Sequence, residues 1–210
     1  MIDDDTSQTN IRTLAHYARN ADAFRSGTAD HDVNQNLDAL LSAIPIAHPR
    51  ILDLGCGPGR DLVALTQRGA LAVGLDGSAP FVDMARTASG CDVWHQDFLA
   101  LDLPPARFDG VFANASLFHV PIDHLPGVLS ALHSTLDAGG VLFSSNPRGD
   151  NRAGWQGERY CVFHDLEQWR RYLHAAGFDE IRHYYRPEGM PREQQPWLAS
   201  VWRKRPLAPA

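Results

Sequence analysis

The sequence lacks the features that would carry it across or out of a membrane. None of its 210 residues falls in a run of the ~18 apolar residues that a spanning helix needs. The N-terminus, MIDDDTSQTN, is acidic and polar, without the apolar core of a secretory signal. A cytoplasmic protein with no membrane partner is therefore expected. Cysteine is scarce. Cys56, Cys91 and Cys161 are an odd, scattered set that suits neither a disulfide framework nor a zinc knuckle. The ten histidines form no HExxH and no paired Cys/His ligand pattern. Cys161-x-x-His164 has no second half, so no metal is expected. Repeats and low-complexity segments are absent. Basic residues are outnumbered, giving a net charge of −6. An acidic chain is poorly suited to nucleic acid, whose phosphates must be neutralised.

The charge is unevenly spread. Residues 1–145 hold 8 basic and 17 acidic residues, and residues 146–210 hold 11 and 8. The basic tail suits an anionic small substrate or an arginine-rich solvated surface. An apolar fraction of 44% is enough for the core of one ordinary domain.

Periodicity organises the chain. Residues 1–8 are expected to be disordered. Residues 9–26 read as one helix ended by Gly27, and 32–44 as a second, with Val33, Leu37, Leu40, Leu41 and Ile44 at helical spacing. Strands are expected at Arg50–Leu54, Ala70–Leu75, Cys91–His95, Phe108–Ala113 and Val141–Ser145. Helices alternate with them, near 59–68, after the candidate cap Ser78, and over 123–136 up to Gly139-Gly140. Such alternation predicts a parallel sheet with helices on both faces. Asp165 and Gln168 have capping-box spacing and open a helix that ends at Gly177. Phe178–Tyr185 and Trp197–Arg203 then follow with no helix between them, so they should pair antiparallel.

The chemistry centres on Asp53-Leu-Gly55-Cys56-Gly57-Pro-Gly59, after the first strand and before a helix. Its glycines allow a tight turn and close approach of backbone to a ligand. The loop is one residue shorter than a dinucleotide fingerprint, which argues against a nicotinamide oxidoreductase. It also lacks the GK[ST] of a phosphate loop. Asp76, followed by Gly77, ends the second strand. An acid there accepts hydrogen bonds from a ribose diol, or else favours the next helix dipole. Asp97 after the third strand is placed to accept from an adenine amine. Phe98 beside it packs on the base or fills the core. Asn114 to Pro121 follows the fourth strand, where open α/β sheets bind ligands.

The order DLGCGPG, GLD, QDF, FANASLFHV and LDAGGVLFSSNP resembles the class I S-adenosylmethionine-dependent methyltransferases, over about residues 48–204. The tail is similar to that of small stand-alone bacterial members. The resemblance implies an α/β, Rossmann-like, seven-stranded sheet, mostly parallel, with a C-terminal antiparallel hairpin strand. Residues 9–210 would form one domain, with 9–45 a helical cap and 48–204 the core. It implies that S-adenosylmethionine is the cofactor and S-adenosylhomocysteine the product. Asp53, Gly55, Cys56, Gly57 and Gly59 would surround the methionine part, Asp76 and Gly77 the ribose, and Asp97 and Phe98 the adenine. Asn114, Tyr17 and Arg25 would complete that site, with Tyr17, Phe24, Arg25 and His31 in the cap. The NPPY-type motif of base methylators is missing, which leaves a small-molecule acceptor as the main reading. An RNA or protein methyltransferase, or a non-catalytic cofactor binder, is the alternative.

Methyl transfer needs alignment and exclusion of water more than acid–base chemistry. Where the acceptor must lose a proton, His119 is the candidate base and His31 the second. The other reading of His119 is a histidine that caps the sheet end. Asn146, Arg148, Tyr184, Arg186 and Arg192 are the candidate acceptor contacts, since arginine forks suit carboxylate or phosphate. The acceptor, its methylated atom (O, N or S), and whether the protein is a monomer or homodimer are left open by the sequence.

Overall fold

The structure, a computed structural model, describes residues 4–206. Three helices open it: α1 (Asp4–Arg19), α2 (Ala21–Thr28) and α3 (Asn34–Leu41). Two expectations fail here. Residues 4–8 are helical rather than disordered, while residues 1–3 lie outside the described residues. The single helix expected over 9–26 is two, broken at Asn20 (φ −110°, ψ 19°), whose side-chain amide donates to the His16 carbonyl at 2.7 Å. Asparagine competes for backbone groups in this way and interrupts helices. Gly27 does not end α2, which runs one residue further.

The main strands are β1 (Arg50–Leu54), β2 (Leu71–Asp76), β3 (Val93–His95), β4 (Phe108–Asn114) and β5 (Leu136–Pro147). After a separate hairpin, β6 (Arg152–Gln156) and β7 (Arg159–Phe163), come β8 (Phe178–Arg186) and β9 (Trp197–Lys204). Among the described residues, seven strands form one sheet in the order β3-β2-β1-β4-β5-β9-β8, with β9 antiparallel to both neighbours. The β8–β9 connection contains no helix long enough for a crossover, so β9 must fold back. β5 begins at Leu136, which pairs with Phe108, so α6 (Leu125–Thr135) stops before Gly139-Gly140 rather than at it.

β1 shows why the sheet is buried. Ile51 packs on one face, and Leu52 and Leu54 on the other, all fully buried. A strand covered on both sides reads as a continuous apolar run. On one face, α3 and α4 (Arg60–Gln67) contribute Leu37, Leu40 and Leu65, beside α5 (Ala79–Ser89). On the other, α6 packs with α7 (Leu166–Ala175). Asp165 caps α7, its carboxylate accepting the Gln168 N–H at 2.7 Å. Trp169 of α7 donates its indole N–H to Ser144 (3.1 Å) and Ser200 (3.2 Å), which joins β5 and β9 to the helix. No helix among the described residues is long and apolar enough to cross a membrane.

The strand order reverses direction of growth between β1 and β4. Open α/β sheets leave a crevice at the carboxyl ends of such a pair.

Candidate active site

A cavity of about 570 Å³ occupies that crevice, covered by α1, α2 and the 31–33 segment. Its floor is the loop 55–59, in which Gly55, Gly57 and Gly59 all have positive φ (76°, 53° and 93°). Two of these glycines serve different ends. A Cβ on Gly59 would lie 2.7 Å from the Ala85 Cα, so its absence lets α4 start against α5. A Cβ on Gly57 would meet nothing closer than the Phe24 ring at 3.8 Å, across the cavity. That open cradle is where a ligand can approach bare backbone.

Asp76 ties the loop down. One carboxylate oxygen accepts the Gly57 N–H at 2.9 Å and the other the Ser78 N–H at 2.8 Å. Burial pushes its pKa up to about 6, against the pull of those two backbone donors. Its oxygens keep lone pairs for further donors. Asp53 is buried beneath the loop and does not line the cavity. Its Oδ2 has no hydrogen-bond partner among the described residues. Burial, with Asp61 and Asp76 nearby, holds its pKa well above the usual carboxylate range. Cys56 lines the cavity as a buried thiol whose pKa burial also raises.

Asp97 and Phe98 line the far end, and Asp97 caps a short 3₁₀ turn through the Leu99 N–H (2.8 Å). Its other oxygen receives the Asn10 amide from α1. Gly77 meets α1 closely, since a Cβ there would lie 2.7 Å from Leu14. Asn114 lines the cavity between two partners, donating to Asp61 at 3.0 Å and accepting from Asn36 at 2.9 Å.

His119 and Tyr17 meet at the opposite end. His119 Nδ1 lies 2.8 Å from the Tyr160 carbonyl, and Nε2 lies 2.7 Å from the Tyr17 hydroxyl. A carbonyl only accepts, so Nδ1 carries the hydrogen and Nε2 accepts from Tyr17. Burial lowers the His119 pKa to about 4, with Arg159 and His16 adding to the effect. The Tyr17 pKa is raised, chiefly by burial. His31 lines the exposed rim.

Other expected contacts fall elsewhere. Arg25 is exposed and pairs with Asp22 at 3.0 Å, away from the cavity. Arg148 and Arg192 lie over the Tyr185 ring, where Arg148 also holds the Gln195 and Arg192 carbonyls. They brace the β8–β9 connection and do not line the cavity. Tyr184 bonds to Asn36 at 2.9 Å, one step removed from Asn114. Asn146 is buried, outside the cavity lining. Arg186 alone of the five lines it, donating to the Asp32 carbonyl at 2.6 Å.

Sequence reasoning missed Arg60, Asn36 and Asn10, and the hairpin residue Arg159 also lines the cavity. Arg60 lines the cavity, paired with Asp61 at 2.7 Å and bonded to the Thr28 carbonyl at 2.7 Å, so it fastens the cap to the loop. Asn36 carried a signal. It is a polar residue one position from Leu37 on a core-facing stretch of α3, and it is fully buried.

Comparison with known proteins agrees with this geometry. A family model described as a methyltransferase domain matches residues 51–140. An uncharacterized methyltransferase of Mycobacterium bovis is 36% identical over 115 residues, 53% of this chain and 57% of that one. A trans-aconitate 2-methyltransferase of Rhodopseudomonas palustris is 35% identical over 140 residues, 65% of this chain and 53% of that one. The chain thus matches over little more than half the length of these relatives. The crystal structure of Burkholderia thailandensis 1,6-didemethyltoxoflavin-N1-methyltransferase, with that compound and S-adenosylhomocysteine bound, shares the fold. It superposes with a TM-score of 0.78 at 20% identity, over 98% of this chain and 92% of that one. Residues 51–140 thus match a methyltransferase domain, and the whole chain shares its fold with that methyltransferase structure.

Proposed function

We propose that the protein transfers a methyl group from S-adenosylmethionine to a small-molecule acceptor. The observation that carries this reading is the bare Gly57 cradle, held by the Asp76 carboxylate and facing a covered cavity. S-adenosylmethionine supplies a methyl group already activated by its sulfonium. The residues here fit it. Asp76 retains acceptor capacity for ribose hydroxyls and Asp97 for an adenine amine, while the 55–59 loop offers bare backbone to the methionine part.

The chain's own contribution is alignment and exclusion of water. Arg60 ties α2 to the loop, and Asn36 ties α3 to Asn114. The cap thereby forms a lid over the strand ends rather than an open groove. That enclosure and the net charge of −6 favour a small acceptor over a nucleic acid. The names of the Rhodopseudomonas and Burkholderia relatives also point to small molecules.

Calorimetric titration tests the reading. Folded protein is expected to bind S-adenosylhomocysteine one to one with a Kd of order micromolar, roughly −8 kcal/mol. Gly57→Val is expected to remove that binding. Normal binding by this variant would contradict the assignment of the loop.

A further inference from the structure

We infer that the acceptor enters as an anion, a carboxylate, held by Arg159 and Arg186 and methylated on oxygen without a general base. This rests on the methyltransferase reading above.

The first support is how the nearest base is used. Both His119 nitrogens are engaged, Nδ1 with the Tyr160 carbonyl and Nε2 with the Tyr17 hydroxyl. The titratable and charged groups around the ring, which also packs on Phe118, are Tyr17 and His16 of α1, and Arg159 and Cys161 of β7. None of these is a carboxylate that would stabilise an imidazolium, and the Arg159 guanidinium opposes one. The depressed His119 pKa agrees with that geometry. Tyr17 points its own proton at His119 and takes a long contact (3.4 Å) from Arg159, so it too is no ready proton acceptor. His31 is the remaining imidazole of the lining and sits at the solvent-exposed rim.

The second support is charge. Three arginines line the cavity. Arg60 is neutralised by Asp61. Arg159 and Arg186 form no ion pair with a carboxylate among the described residues; one contacts the Tyr17 hydroxyl and the other the Asp32 carbonyl. Each keeps unused donors of a fork that matches a carboxylate. Alcohols and ammonium groups must lose a proton before they attack. A carboxylate, with a pKa near 4, is already ionised at neutral pH.

The transfer then balances without proton movement. A lone pair on one carboxylate oxygen forms the new C–O bond to the methyl carbon while the C–S bond breaks. The bonding pair stays on sulfur, which becomes a neutral thioether, and the anion becomes a methyl ester.

The experiment combines labelling with binding. The protein is incubated with methyl-labelled S-adenosylmethionine and a bacterial metabolite extract, and the product is treated with mild alkali. The expected result is release of the label as volatile methanol, the signature of a carboxyl methyl ester. The acceptor's kcat/KM is expected to stay flat from about pH 7.5 to 9, above the range in which Asp76 titrates. Alkali-stable label overturns the inference, as does a rate that rises with pH and loses that dependence in His31→Gln.

Binding gives an answer independent of turnover. Protein loaded with S-adenosylhomocysteine is titrated with a panel of mono-, di- and tricarboxylates, including trans-aconitate and benzoate, and with the matching amides. At least one acid is expected to bind about tenfold or more tightly than its amide. That preference should be lost in Arg159→Gln and in Arg186→Gln, with affinity for S-adenosylhomocysteine unchanged. Equal binding of acid and amide across the panel overturns the inference. In every one of these outcomes binding of S-adenosylhomocysteine is measured separately, and its absence would remove the underlying reading instead.

Discussion

The two ends of the cavity are built from different materials. The end under β1, β2 and β3 is made of backbone and short-range contacts: positive-φ glycines, and carboxylates that accept from N–H groups two residues away (Asp76 to Ser78, Asp97 to Leu99). The other end is made of side chains from distant places in the sequence. Tyr17, His119 and Arg159 converge there from α1, the turn after β4, and the β6–β7 hairpin. The first end is shaped by what every member of a cofactor-binding fold must do. The second is free to vary with the acceptor, because no local backbone conformation depends on it.

Substitution separates the two ends, and the glycines give the largest effect. Gly59→Val forces a side chain into the Ala85 backbone and is expected to cost more than about 3 kcal/mol of stability. Gly57→Val meets no such wall and is expected to cost only the ~1–2 kcal/mol of left-handed strain. It should nonetheless lower affinity for S-adenosylhomocysteine by on the order of 100-fold or more, since a valine side chain would fill the cradle. Urea melts and calorimetry on the pair separate these roles. Equal stability of the two variants would erase the distinction between packing and ligand approach.

Asp76→Ala comes next. Losing hydrogen bonds to a charged group should weaken cofactor binding by about 1.5–3 kcal/mol. The raised Asp76 pKa adds a pH signature. The ionised form binds, so wild-type affinity should fall as pH drops below about 6, by up to about tenfold per unit. Asp76→Asn should lack that dependence.

At the other end, His119 leaves its mark on stability. Its folded pKa is depressed to about 4, while the unfolded imidazole takes up a proton near 6.5. Falling pH between those values therefore favours the unfolded chain. Stability should decline by at most about 1.4 kcal/mol per pH unit across that window, and the decline should be smaller in His119→Gln. Matching slopes in the two proteins would show that the imidazole titrates normally. The smallest effect belongs to Asn10, whose amide occupies one oxygen of Asp97. Asn10→Ala should tighten S-adenosylhomocysteine binding a few-fold, about 0.5–1.5 kcal/mol, if the two compete for that oxygen.

Legibility in the sequence follows the same division. β1 appears where its apolar run placed it, and the glycine loop, Asp76 and Asp97 stand at the strand ends their spacing indicated. The antiparallel β9 followed from the absence of a crossover helix. The β6–β7 hairpin gave no strand signal in the sequence. Its strands are five residues each, β6 has no buried residue, and the turn at Gly157 (φ 65°) left no strong apolar alternation to detect. Arg148, Arg192 and Tyr184 were chosen as polar or aromatic residues near the right strand ends. Sequence position gives no direction for a side chain on a loop, and Arg148 and Arg192 turn toward Tyr185, while Tyr184 on β8 bonds to Asn36. The α1–α2 break depended on one asparagine bond to a carbonyl four residues back, too local for a periodicity argument.

The most direct test of the account is calorimetric titration of the folded wild-type protein with S-adenosylhomocysteine at about pH 7.5, beside Gly57→Val. One site of order micromolar Kd is expected in the wild type and no measurable heat from the variant. A folded wild-type protein that gives no binding, or a variant that binds as well as the wild type, would contradict it.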